Sequence, residues 1–212
     1  MRWRQYLLVF LLFLTLVMGN CLLFDYFKEQ QGMLFGEDLN LDSIRQDMVY
    51  FPVAESSFDP SGYQVTYADS YGSARNFGGD RAHEGCDLMA SSNRRGHYPI
   101  VSISDGVVEK IGWLKLGGYR IGIRSPHGVY FYYAHLNDYF REFCVGDRIE
   151  AGEVLGFMGD SGYGEEEGTT GMFPVHLHLG IYLNDKDGRE KTANPFPFLQ
   201  ELEKKKLRFY FE

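Results

Sequence analysis

Two of the histidines in this 212-residue chain stand one residue apart, in Val175-His176-Leu177-His178-Leu179-Gly180-Ile181. Apolar residues alternate with the imidazoles, which is the period-2 pattern of a strand with one buried face. Positions i and i+2 of a strand point the same way, with Cα atoms roughly 6.5–7 Å apart. Both rings therefore address one spot, where one can bind a metal while the other reaches a water or a substrate atom. A second group is His83-Glu84-Gly85-Cys86-Asp87. Zinc accepts nitrogen, sulfur or carboxylate donors, and a catalytic site usually has three protein ligands and one open position. His83, Asp87 and His178 would make such a set. In a straight strand i and i+4 lie ~13 Å apart, too far to share an ion bonded at about 2 Å. The glycines of Phe77-Gly78-Gly79-Asp80, with Gly85, instead predict a turn that folds His83 back towards Asp87. Cys86 is a rival ligand, but in a strand after the turn it points away from Asp87, as a small buried side chain.

A third group is the aromatic strand Phe131-Tyr132-Tyr133-Ala134-His135-Leu136, which ends in a histidine. Alone, each group fits a satisfied surface or core histidine. Together they resemble the zinc metallopeptidases of the lysostaphin and LytM type, the M23 peptidase family. That family carries HxxxD, a YxHL-like strand end and HxH in this order, here His83/Asp87, Tyr133-Ala134-His135-Leu136 and His176/His178. The resemblance runs from about Tyr67 to Pro195. It implies a Zn2+ cofactor held by His83, Asp87 and His178. It also implies two non-ligand catalytic histidines: His176 as the base for the attacking water, His135 at the oxyanion or the leaving amine, with the roles open to exchange. The implied activity is endopeptidase cleavage of the peptides of bacterial cell-wall peptidoglycan.

Composition sets the frame. Hydrophobic content of 44% and charged content of 24% are globular values. A net charge of -8, with no basic run beyond Lys204-Lys205-Lys206, excludes a nucleic-acid partner. Glycine (25 residues) and 16% aromatics suit many short strands joined by tight turns. The expected fold is mostly β: an antiparallel sheet with a groove, of the duplicated hybrid-motif type that the resemblance implies, plus an N-terminal membrane helix and a short C-terminal helix. Pro99–Ile103 and Val107–Ile111 flank Asp105-Gly106, predicting a two-residue hairpin. Tyr119–Arg124 and Val129–Tyr133 flank Ser125-Pro126-His127-Gly128, predicting a second. Short strands follow over 145–156, His176–Leu183 completes the sheet, and an amphipathic helix after Asn194-Pro195 ends near Lys206.

The start of the chain differs from the rest. Arg2 and Arg4 precede an uncharged run from Tyr6 to Phe24, about long enough to cross a bilayer. Positive residues before it predict a cytoplasmic N-terminus and an exported domain. Residues 1–24 are thus read as a transmembrane signal-anchor, 25–50 as a stalk with a short helix at Asp42–Met48, and 51–212 as the peptidase domain. Cleavage after Gly19, which would release the protein, and lipidation at Cys21 are the rival readings. Cys86 and Cys144 leave a single bridge open. His97 and His127 fall outside the motifs, and Glu165-Glu166-Glu167 reads as a solvated loop tip. Two other classes of function remain open: a non-catalytic, membrane-anchored scaffold or regulator of wall enzymes built on the same domain, and a zinc hydrolase of another substrate.

Overall fold

The computed structural model describes residues 39–59, 62–75 and 79–209. The segment read as an anchor and most of the one read as a stalk lie outside these residues, and among the described ones no helix is long and apolar enough to cross a membrane.

The centre is a mostly antiparallel sheet. Its main path is β10 (Arg148–Ile149), β7 (Gly106–Leu114), β8 (Gly118–Arg124), β9 (Tyr130–Tyr139), β12 (His176–Asn184), β5 (Cys86–Ala90) and β2 (Val65–Thr66). β11 (Val154–Met158) joins β9 to β6 (Pro99–Val101), and β13 (Glu190–Ala193) pairs with β12. Two pairs stand apart: the hairpin β3 (Ala74–Arg75)–β4 (Arg81–Ala82), and β1 (Glu55–Ser56) running parallel to β14 (Arg208–Phe209). Alternation gives the sheet two chemically distinct faces. One carries Leu177, Leu179 and Ile181 of β12, Phe131 and Tyr133 of β9, Ile121 and Ile123 of β8, and Leu88 of β5, all essentially inaccessible. The other carries Asp87, His176, His178, Tyr130, Tyr132, Arg120 and Lys110, which line a groove.

Among the described residues two helices, α1 (Leu41–Asp47) and α2 (Phe196–Leu202), pack on this sheet. Asn194 Oδ1 accepts from the Phe196 amide at the start of α2, where Pro197 costs no hydrogen bond. Phe198, Leu199 and Leu202 of α2 adjoin Phe131, Leu179 and Ile181 on the buried face of the sheet, with Met48 alongside. Burying such side chains is worth roughly 1.5–3 kcal/mol each, enough to hold a seven-residue helix that would not form alone.

Several expectations are corrected. Asp105-Gly106 does not make a hairpin: β6 pairs with β11, while β7 pairs with β8 and β10. A type I′ turn needs φ > 0 at both central residues, and Gly106 is not among the positive-φ glycines. It sits instead against β8, where a Cβ would lie 2.5 Å from the Arg124 carbonyl oxygen. The second hairpin stands, with Gly128 at φ 84°. The aromatic strand does not end at His135 but runs on to Tyr139. β13 and β14 lie beyond the strands expected, and α2 stops at Leu202, short of Lys206. Cys86 and Cys144 are both free, the first buried and the second exposed.

A compact unit begins at Asn40, so residues 40–50, read from sequence as the end of a stalk, pack with the rest of that unit. Ile44 of α1 is fully buried, and Arg45 makes a two-pronged contact with Glu201 of α2. Asp47, also buried, accepts from Ser125 Oγ (2.5 Å), His127 Nδ1 (2.6 Å) and the His127 amide (3.1 Å). His127, given no role from sequence, thus ties α1 to the β8–β9 turn. Asp47→Ala would leave the buried Ser125 hydroxyl and the His127 amide unpaired, and should lower stability by about 2–4 kcal/mol in urea unfolding. A loss under about 0.5 kcal/mol would mean that α1 is not docked through this carboxylate.

Candidate metal centre and groove

Register assembles the site. His178 is paired with Asp87 on β5 and with Ala134 on β9, so the imidazole and the carboxylate leave the same face side by side. His83 comes from outside the sheet. The β3–β4 hairpin returns the chain, the His83 amide donates to the Ser73 carbonyl (2.9 Å), and Gly85 lets the backbone pass close to β12. A Cβ on Gly85 would lie 2.5 Å from the Leu179 carbonyl oxygen and 2.6 Å from Cε1 of His178. The expected fold-back of His83 is present, though residues 76–78 of its turn lie outside the described set.

The three candidate ligands converge tightly. His83 Nε2, His178 Nδ1 and Asp87 Oδ1 form a triangle with sides of 2.9, 3.0 and 3.0 Å. Donors of a four-coordinate zinc with bonds of about 2.0–2.1 Å lie roughly 3.3 Å apart, so a small opening of the triangle accommodates the ion. The donor set is also chemically right. His83 Nδ1 donates to the Ser70 carbonyl (3.0 Å), which leaves the Nε2 lone pair facing the site in the neutral ring. Arg75 Nη2 holds Asp87 Oδ2 at 2.5 Å, leaving Oδ1 for the cluster. Burial alone would raise the Asp87 carboxyl, but its 3.0 Å contacts with His178 and His83 outweigh it, since any proton in the metal-free cluster sits on a ring and not on the carboxylate, and hold it well below the usual range. One carboxylate and two neutral imidazoles are suited to a divalent cation. Cys86 takes no part: its thiol faces the Ala68 carbonyl (3.4 Å) and burial pushes its pKa up to about 12.

The other two histidines flank the cluster. His176 Nδ1 donates to the Pro174 carbonyl and His135 Nδ1 to the Ser161 carbonyl, each at 2.8 Å, so both rings offer Nε2 as an acceptor. His176 Nε2 lies 3.8 Å from Asp87 Oδ1, and the two rings are 4.7 Å apart between centroids. His135 reaches the site by an unusual route. Counting alternately from Phe131 and Tyr133, position 135 would fall on the core face. Its φ of 63° breaks the alternation and turns the ring towards His176, a conformation that costs a non-glycine residue about 1–2 kcal/mol. Burial pushes the pKa values of His135, His176 and His178 below the ordinary imidazole value.

The groove has a volume of about 540 Å³. Its floor is cut where small residues stand beside large ones, with Gly112, Gly122, Ala134 and Gly180 on the same face as Arg120, Tyr132 and His178. Tyr130, Tyr132 and Tyr182 stack at 5.8–6.4 Å to form one wall. Tyr163, 5.8 Å from the His135 ring, accepts from Arg81 Nη2 on the other side. Arg75 and Tyr163 escaped the sequence reading because neither stands in a motif. The carbonyls that set the imidazole tautomers carry no sequence signal at all. Glu165, Glu166 and Glu167 are exposed and lie outside the groove lining, and Glu165 meets Lys115.

Comparison with known proteins gives the same frame. Residues 81–190, more than half of the chain, match the model of peptidase family M23. The chain belongs to this family. It is 44% identical over 147 residues to the L-Ala--D-Glu endopeptidase of Bacillus subtilis, covering 68% of this chain and 43% of that protein. It is 33% identical over 104 residues to the glycyl-glycine endopeptidase ALE-1 of Staphylococcus capitis, covering 48% of this chain and 26% of that protein. Among solved structures, a candidate glycyl-glycine endopeptidase lytM from Ruminococcus gnavus superposes with a TM-score of 0.72 at 51% identity, covering 79% of this chain and 65% of that one. The chain thus spans less than half the length of these curated relatives.

Two outcomes follow from the geometry. The purified protein should bind about one zinc per chain. His178→Ala should lose that ion, and Gly85→Ala should weaken it by pushing the His178 ring while leaving every donor in place; full zinc occupancy in His178→Ala overturns the ligand set. Unfolding of the metal-free protein should take up protons below about pH 6.5, because the buried imidazoles have depressed pKa values only in the folded state. The unfolded chain then binds more protons, so stability falls as pH drops through this range. A melting temperature unchanged between pH 7.5 and 5.5 would contradict the burial of neutral imidazoles.

Proposed function

We propose that this chain is a zinc endopeptidase that hydrolyses peptide bonds in bacterial peptidoglycan, exported and held at the membrane by the uncharged run before residue 25. The observation that carries the reading is the convergence of His83, Asp87 and His178 on one point, with two further imidazoles presenting acceptor nitrogens beside it. Zinc, when bound there, supplies a Lewis acid that acidifies water and polarises a carbonyl. His176 is assigned as the base: its Nε2 is unprotonated, and at 3.8 Å from Asp87 Oδ1 it reaches the edge of the ligand triangle. A proton taken there creates an imidazolium in a buried setting, where the charged form is disfavoured, so it is readily passed on to the leaving amine. His135, its ring centroid 4.7 Å from that of His176, is assigned to the developing oxyanion or the departing nitrogen; in either role the proton it donates is the one His176 takes from the water and passes on. Arg75 pairs with the outer oxygen of Asp87 and aims the carboxylate. The name of the Bacillus relative, an L-Ala--D-Glu endopeptidase, points to an Ala–Glu bond, and the names of the Staphylococcus and Ruminococcus relatives to a glycyl-glycine bond.

His176→Ala and His135→Ala should retain zinc and lose about 10²–10⁴-fold of the rate at which purified peptidoglycan is digested. Wild-type rates in both variants would overturn the catalytic assignment. Membrane attachment has its own test: full-length protein should sediment with membranes and resist salt, and protease added to wall-stripped cells should remove the domain. Protection from that protease would reverse the orientation.

A further inference from the structure

The groove holds a charged residue that hydrolysis does not use. Arg120 lines it from β8, and its Nε and Nη1 are buried with no hydrogen-bond partner among the described residues. The other guanidinium groups nearby are engaged. Arg75 holds Asp87, Arg81 donates to Tyr163, and Arg124 makes a two-pronged contact with Glu109. A guanidinium stays charged and carries five donors in a planar fork that matches a carboxylate. Burying it with donors unpaired is unfavourable unless a ligand completes it.

Register supplies a second cation. Gly112 stands opposite Arg120 and Lys110 opposite Gly122, so Lys110 lies diagonal to Arg120 on the same face. The chain as a whole is acidic, with a net charge of -8. In the groove lining, however, Arg75, Arg81, Lys110 and Arg120 stand against Asp87, Glu190 and the exposed Glu84; Arg75 holds Asp87, Arg124 is shared by Glu109 and Glu190, and Lys110 lies over the Tyr130 ring with Glu109 at 4.0 Å. The surplus charge there is positive. β8 is two strands from β12, roughly 10 Å across the sheet, or about three residues of extended peptide. The arginine stem closes part of that distance.

We propose that Arg120, assisted by Lys110, is a carboxylate-binding subsite that selects peptides carrying a free carboxylate within a few residues of the bond to be cut. The proposal rests on the peptidase reading of the groove and adds its substrate class: acidic peptides, in preference to neutral ones such as oligoglycine.

The test uses two peptides that differ by one atom group, an N-acetylated, C-terminally amidated L-Ala-D-Glu peptide and its D-Gln counterpart, with N-acetylated, C-terminally amidated triglycine as the neutral control. Calorimetric binding to the metal-free full-length protein should favour the acid over the amide by about ten- to a hundredfold, the usual worth of a charge-assisted contact. Arg120→Gln should bring the acid down to the amide and leave the amide unchanged, while Arg120→Lys should keep part of the preference. Equal affinity of wild type for acid and amide, or an equal loss for both in Arg120→Gln, overturns the subsite and assigns Arg120 to packing against the tyrosines. Peptidoglycan digestion by the zinc-loaded wild type is read separately. Its absence would overturn the peptidase reading, and the binding comparison would still decide the subsite.

Discussion

The site depends on the register of β12 between β5 and β9. His178 opposite Asp87 is one rung of an antiparallel ladder, and the whole arrangement follows from that rung. A one-residue slip would bring Leu177 or Leu179 opposite Asp87 and turn both imidazoles into the core. Burial prevents the slip. Leu177, Leu179, Ile181 and Leu183 are almost fully inaccessible, and exchanging them for histidines would cost several kcal/mol. The hydrophobic face of the strand therefore fixes the polar face, although its side chains leave the sheet on the side opposite the cluster.

The cluster also explains why a cation belongs there. Three electron-pair donors sit within 3.0 Å of one another in a place with little water. Without an ion, protons must be shared among them. With one, each donor points at a positive charge, and the Arg75 contact balances the outer oxygen of Asp87.

What the sequence made legible was whatever followed period 2. The common facing of His176 and His178, the inward turn of Cys86 and the β8–β9 hairpin can all be read from alternation and turn residues. The candidate ligands came from motif order more than from local pattern, since His83 is brought in by a hairpin of two-residue strands too short to show periodicity. Alternation misleads at His135, where a positive φ reverses the facing. It misleads at Gly106 too, because a glycine kept for close approach of two strands looks like a glycine kept for a turn. α1 was taken for tether because seven residues with few apolar positions give little sign of docking, whereas the buried acceptor Asp47 that fastens it is visible only in three dimensions.

Three of the site imidazoles take their tautomer from backbone carbonyls, those of Ser70, Pro174 and Ser161. None of these carbonyls belongs to a strand of the sheet; each lies in a connecting segment at its edge. The rigid sheet sets where the rings are, and the loops set which nitrogen of each ring is available. Position and protonation are thus under separate control. A lineage, or an engineer, could exchange or lengthen a loop and change the basicity of one imidazole without disturbing the coordinates of the others. Most point substitutions of the carbonyl-bearing residues would leave the same oxygen in place, so variation there can accumulate silently until a change of loop length moves the chain itself.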